Sequence, residues 1–167
     1  FRRVARLALG LGNDDDDRVA DIAHPVDRER RPCAHFHWRA VPSADGARLA
    51  VSSGGSPSRA AYRVFDPATG VPVTPTMRLE GLNIGLAMSG DSRTLATAST
   101  NGSIRLWDAR HGEPLSPLIN DGAGWSRTVL SPDGMLFAVA SNEEGGNAVR
   151  VRRTADGSSL TEPLRQA

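Results

Sequence analysis

The sequence contains no lysine: all 20 basic residues are arginine. It has one cysteine, Cys33, one tyrosine, and aromatic residues amount to only 5%. A single cysteine excludes an internal disulfide framework. No apolar run approaches the roughly 20 residues that a membrane-spanning helix needs, so no membrane partner is expected. A charge imbalance is missing as well, since 20 basic and 19 acidic residues leave a net charge of +1. Affinity for a phosphate backbone comes from a net basic surface, so no nucleic-acid partner is expected either. No G-x-S-x-G elbow and no phosphate-cradling glycine loop occurs, which removes two common signatures of enzymes.

What is present points to turns. The 167 residues include 17 Gly and 11 Pro, which favours many short elements over a bundle of long helices. Hydrophobic residues at 39%, charged residues at 23% and a mean hydropathy of −0.34 fit a soluble chain. Length alone suggests one ordinary domain. All-arginine usage is consistent with a GC-rich bacterial genome. The expected compartment is the cytoplasm. The first residue is Phe1, so a processed product or a piece of a longer protein is expected. The opening FRRVARLALGLG has a faint signal-peptide character. Its apolar part, Leu7 to Gly12, is too short for an h-region, and Asp14–Asp17 follow at once. A short helix or a ragged end is the expected reading.

Internal repetition carries more information than any single residue. SADGARLAVSS starts at Ser43, SGDSRTLATAS at Ser89 and SPDGMLFAVAS at Ser131, 46 and then 42 residues apart. Each has a Ser-x-Asp turn, then a large apolar residue (Leu49, Leu95, Phe137), then Ala (Ala50, Ala96, Ala138), and ends in Ser (Ser53, Ser99, Ser141). A second element repeats downstream: YRVFDPATG from Tyr62, IRLWDARHG from Ile104 and VRVRRTADG from Val149. Large and polar residues alternate in it and lead to a turn closed by Gly70, Gly112 or Gly157, as when a strand leaves into a tight loop. The link between the two elements is TNGS in the middle unit but GGSPSRAA and NEEGGNA in the others. Length changes at one fixed place mark a surface loop.

Each unit then contains four short strands. The first strands are FHWRAVP, LNIGLAM and GWSRTVL, and the second are LAVSS and its equivalents. The third are YRVF, IRLW and VRVR; the fourth are expected at VPVTPTM, EPLSPLI and SSLTEPL. Pro72, Pro75, Pro114, Pro117 and Pro163 fall in the fourth segment, and proline cannot donate to a ladder, so this strand lies at an edge. Four antiparallel strands with such an edge describe a propeller blade. The fold expectation is therefore all-β: about three blades, near 36–78, 79–120 and 121–165, in an incomplete ring, after a charged leader or linker over 1–35.

At this level the chain resembles the WD-repeat β-propellers over about residues 36 to 165. The likeness is fullest in LATASTNGSIRLWDARHGEPLSPLI, Leu95 to Ile119. Trp107–Asp108 stands where the family's Trp–Asp pair closes the third strand, and Asn101–Gly102 where it has a tight Asp–Gly turn. The first unit has Phe65–Asp66 and the third Arg152–Arg153 at the Trp–Asp position. The Gly–His pair before the first strand is absent; Glu80-Gly81-Leu82 and Asn120-Asp121-Gly122 stand near its place. In the family that His joins a buried network with a Ser/Thr, an Asp and the Trp. The resemblance therefore implies a partial network here and more reliance on apolar packing. It also implies a protein–protein interaction platform, part of a larger bacterial signalling or regulatory protein and not an enzyme. The Ser-x-Asp-Gly turn also resembles that of peptidase-associated propellers, so the alternative is the propeller portion of a hydrolase or peptidase.

Closed propellers have about 4–8 blades, so three blades leave end faces that invite association. The missing blades are expected in the same longer chain or through self-association. Other chemistry was weighed residue by residue. Cys33, His35 and His37 share one face of an extended strand, a set that with His24 or Asp27 suits Zn²⁺ or copper. The spacing lacks the two separated ligand pairs of structural zinc sites, so the expectation is a strand with two polar-face histidines, no metal and no cofactor. Asp14–Asp17 is contiguous, whereas calcium loops alternate their ligands, so a solvated run is expected; with Arg28-Glu29-Arg30-Arg31 it reads as charged linker. His111 is expected in an exposed turn, Gly145–Gly146 in a hairpin loop beside Glu143–Glu144, and Trp38 and Trp125 in packing between blades.

Overall fold

The computed structural model describes residues 39–55, 59–120, 126–143 and 146–165. Among these, every regular element is a strand. Sheet one comprises β1 (Arg39–Pro42), β2 (Leu49–Gly55), β3 (Arg59–Phe65) and β4 (Met77–Glu80). Sheet two comprises β5 (Asn83–Met88), β6 (Thr94–Ser99), β7 (Ser103–Asp108) and β8 (Ile119–Asn120). Sheet three comprises β9 (Ser126–Leu130), β10 (Leu136–Glu143), β11 (Gly146–Arg153) and β12 (Leu164–Arg165). Each sheet is antiparallel throughout, with its strands in chain order. The all-β expectation, with four-stranded units in an unclosed ring, holds.

The fourth strand sits later than the sequence reading placed it. The segments VPVTPTM, EPLSPLI and SSLTEPL hold only the first residue of each fourth strand, at Met77, Ile119 and Leu164. The rest of each segment touches the third strand by one isolated bridge: Phe65 with Pro72, Trp107 with Pro114, Arg152 with Ser159. Prolines hold φ near −65° and lack the N–H, so a ladder cannot run through them. A hydroxyl replaces the missing carbonyl partner. Thr74 Oγ1 accepts the N–H of Val64 at 3.0 Å, and Thr161 Oγ1 that of Val151 at 3.2 Å. Ser116 Oγ stands at the same place by Leu106 N, at 3.4 Å. The three hydroxyls follow Gly70, Gly112 and Gly157 at a constant four-residue offset, a signal present in the sequence but not read from it.

The sheets stack face to face, and period-two alternation decides which side chains go between which pair. Between sheets one and two lie Ala50, Tyr62, Val64 and Leu79, facing Leu86, Leu95, Trp107 and Ala109. Between sheets two and three lie Ala96, Ala98, Ile104 and Leu106, facing Phe137 and Val139. Sheet two is covered on both sides, so all six residues of β6 are buried. A bulge between Asn83 and Gly85 adds Ile84, which joins the second of these cores.

Polar groups also cross the first junction. The Tyr62 hydroxyl lies 3.4 Å from the Ala98 carbonyl oxygen, and the Asn83 amide donates to Ser52 Oγ. Burial pushes the Tyr62 phenol well above its ordinary pKa, so it stays a neutral donor.

Candidate interaction surfaces

One end of the stack collects the turns between first and second strands and those between third and fourth. In the first kind, the serine hydroxyl and the Asp carboxylate clamp the hairpin. Ser89 Oγ donates to Asp91 Oδ1 at 2.6 Å and accepts the N–H of Thr94 at 2.9 Å. Asp91 Oδ1 also accepts the N–H of Arg93 at 3.0 Å. Ser43 with Asp45 and Ser131 with Asp133 repeat this pattern. The Ser43 hydroxyl and then the Ala47 N–H hold Asp45 below the ordinary carboxylate pKa. The Ser131 hydroxyl and then the Met135 N–H do the same for Asp133.

These turns also bond to one another across sheets. The N–H of Asp91 donates to the Pro132 carbonyl at 3.0 Å. Ser92 Oγ reaches Asp45 Oδ1 at 3.4 Å. A Cβ on Gly90 would lie 2.8 Å from the Pro132 oxygen, so only glycine allows this approach. The second and third turns are therefore fixed to each other, with the first beside them at the longer Ser92–Asp45 contact, and Asp45, Asp91 and Asp133 are exposed along the row. Met135 ends the row with its side chain 67% exposed.

In the second kind of turn, Asp66 and Asp108 each accept two backbone N–H groups, and a left-handed glycine closes the loop. Asp108 Oδ1 accepts from Arg110 at 2.7 Å and from His111 at 3.3 Å, and the N–H of Gly112 donates to the Asp108 carbonyl at 2.8 Å. Partial burial works against the Asp108 charge, but the hydrogen bonds from Arg110 and His111 outweigh it and the pKa is lowered. His111 is exposed in the turn, its Nδ1 3.3 Å from Asp108 Oδ2. Sheet three has Arg153 where the others have Asp. There the Thr154 N–H and hydroxyl both donate to the Met135 carbonyl, at 3.0 and 2.8 Å.

Trp107 is buried, and its Nε1 donates to Thr97 Oγ1 at 2.9 Å. The Arg105 guanidinium lies 5.1 Å from its ring centroid. Asn101–Gly102 forms more than a bare hairpin. Asn101 Oδ1 accepts from Ser99 Oγ at 2.5 Å and from the N–H of Ser103 at 3.0 Å, while the Gly102 N–H donates to the Ser99 carbonyl at 3.0 Å. This is the Ser-x-Asp clamp again, with Asn for Asp, at the opposite end of sheet two. The motif Ser99-Thr100-Asn101-Gly102 is legible beside the other three and was missed there.

Cys33, His35, His37, His24, Asp27, Asp14–Asp17, Trp38, Trp125, Glu144 and Gly145 lie outside the described residues. Among the described residues no group of three or more His, Cys, Asp and Glu is placed to hold a metal ion, and no helix is long and apolar enough to cross a membrane. A groove of about 490 Å³ on the rim of sheet three is lined by Arg150, Arg152, Ser159, Thr161 and Glu162, with Leu160 and Pro163.

No family model matches the chain. No curated protein matches it in sequence. Solved structures do resemble it. The β-propeller domain of Myceliophteria thermophila Cps50 (Swd1) superposes with a TM-score of 0.62 at 16% identity, covering 78% of this chain and 39% of that one. Kuenenia stuttgartiensis hydrazine synthase superposes with a TM-score of 0.58 at 21% identity, covering 72% of this chain and 34% of that one. The chain thus spans little more than a third of the length of these structures. At such identities the likeness concerns the fold alone: the three stacked four-stranded sheets are blades of a β-propeller.

Proposed function

We propose that the chain is a non-enzymatic protein–protein interaction platform built of WD-type blades within a larger signalling or regulatory protein. The observation that carries this reading is the row of Ser-x-Asp turns, hydrogen-bonded within each sheet and between sheets. A surface fixed before contact loses little entropy on binding, and the exposed Met135 beside Leu136 gives the row an apolar contact point. The Trp107–Thr97 bond and the Asp108 turn support the WD-type assignment.

The test begins with affinity capture from the source cells. Each captured protein is then purified and titrated calorimetrically against the chain. Binding at micromolar affinity or tighter is expected, weakened at least about tenfold by Met135→Glu combined with Arg93→Glu, with no change in melting temperature. Failure of every purified candidate to bind, or turnover of ester or peptide substrates by the chain, overturns the proposal.

A further inference from the structure

Four hairpin turns among the described residues share one hydrogen-bonded clamp, and one of them carries different chemistry. In the turns at Ser43, Ser89 and Ser131 the serine hydroxyl donates to an aspartate Oδ1 at 2.6, 2.6 and 2.5 Å. The same Oδ1 accepts the backbone N–H two residues on, at 3.0 Å each time. At Ser99 the two distances are 2.5 and 3.0 Å, but the acceptor is the amide oxygen of Asn101. Asn101 is also the only asparagine in the sequence that precedes a glycine. It is exposed to water, and Gly102 follows at φ of +81° with no Cβ to crowd the Asn101 side chain.

From this match we propose that Asn101 is a self-modification site: it deamidates to aspartate through the Gly102 nitrogen and water, and the aspartate then holds the clamp. The Gly102 nitrogen bonds to Asn101 Cγ and gives up its proton, and the Nδ2 group takes a proton and leaves as ammonia. A succinimide ring results. Water then adds to Cγ, the bond from Cγ to the Gly102 nitrogen breaks, and that nitrogen regains a proton. The sum is amide plus water to carboxylic acid plus ammonia, with nothing oxidised or reduced. Both additions put negative charge on Oδ1, where the Ser99 hydroxyl and the Ser103 N–H already point. Donors fixed at an oxygen that gains charge lower the barrier. The Gly102 N–H bond to the Ser99 carbonyl, 3.0 Å long, opens while the ring exists and re-forms in the product. At the tip of a hairpin such local opening costs little.

The clamp also selects the product. Water at Cγ gives aspartate, whereas water at the backbone carbonyl of Asn101 gives isoaspartate, which lengthens the main chain by a carbon. Only the oxygen on Cγ has the two donors, so the folded turn favours aspartate, while an unfolded chain opens at either carbonyl. A carboxylate in this place receives charge-assisted hydrogen bonds, about twice as strong as those to a neutral amide. Asp45 and Asp133 are also followed by glycine. There the Ser43 and Ser131 hydroxyls keep the carboxyl ionised, and a carboxylate resists attack by an amide nitrogen. Asn101 lies at the end of sheet two opposite the row of Ser-x-Asp turns, so its chemistry is independent of the platform proposal.

The test incubates the purified protein in mildly alkaline buffer, folded or in urea. The peptide holding Asn101 is followed by mass spectrometry, with fragmentation that separates aspartate from isoaspartate. In the folded protein Asn101 is expected to convert ahead of every other asparagine, with aspartate the larger product; in urea isoaspartate is the larger. Ser99→Ala keeps the Cβ that packs at Gly81 and removes one donor. It is expected to slow conversion in the folded protein at least about tenfold and to raise the isoaspartate share. Asn101→Asp, which has the product's own residue, is expected to melt a few degrees above the parent. Folded Asn101 that survives while the urea sample converts overturns the proposal. So does faster conversion in Ser99→Ala, isoaspartate as the main folded product, or a lower melting temperature for Asn101→Asp.

Discussion

Ser92 has φ of +62°, in the left-handed region, where the matching turns carry Gly46 and Gly134, each at +70°. A side chain there costs about 1–2 kcal/mol, and glycine's greater freedom in the unfolded chain returns about half of that. Ser92→Gly is therefore expected to stabilise the protein by about 0.5–1 kcal/mol, read as a rise in melting temperature of a few degrees. The bond it gives up is the 3.4 Å contact to Asp45, too long to count for much. A melting temperature at or below that of the parent would show that the Ser92–Asp45 link outweighs the backbone strain. The serine that breaks the repeat is thus predicted to be a tolerated cost, not a stabilising feature.

At the scale of the element, the turns depend on ionised carboxylates. The Ser43 hydroxyl lowers the pKa of Asp45, the Ala68 N–H that of Asp66, the Ser131 hydroxyl that of Asp133 and the Ser158 hydroxyl that of Asp156. A carboxylate that is more acidic when folded binds fewer protons than its unfolded form. Its contribution is present in full above the unfolded value of 3.8 and is lost as pH falls through the lower folded value. Melting temperature is therefore expected to be level from about pH 7 to 5 and to fall below about pH 4. Asp66→Asn keeps an acceptor oxygen but cannot titrate, so its melting curve should fall less steeply over that range. An unchanged acid slope would remove Asp66 from the acid-sensitive set. The same turn logic accounts for Asp108, the residue after Trp107, whose carboxylate accepts the N–H groups of its own turn.

At the scale of the whole molecule, position in the stack decides what a residue is worth. Leu106 and Val151 are the same repeat position. Leu106 is sealed between sheets two and three, whereas Val151 lies on the outer face of sheet three. Leu106→Ala should cost about 2–5 kcal/mol and Val151→Ala about 1 kcal/mol or less. By denaturant titration of both variants, equal losses would mean that sheet three's outer face is already covered. Two cores, each shared by neighbouring sheets, also make the stability a sum of blade and junction contributions, as in other repeat architectures.

The sequence by itself determined the period, the two kinds of turn, the alternation of the strands and the all-β class. These are local matters: a Ser-x-Asp clamp, a left-handed glycine and a period of two operate within a few residues and so leave a mark that can be read along the chain. Thr74, Ser116 and Thr161, and the fourth clamp at Ser99–Asn101, were legible in the same way but needed the alignment to be carried further. Where the fourth strands begin was not legible, because proline says only where a ladder is interrupted and not on which side it resumes. Only the tertiary structure decided which face of each strand meets which neighbour, that sheet two is buried on both sides, and that sheet three is left open. Those outcomes depend on side chains some 40 residues apart meeting across a sheet junction, and no local propensity encodes that.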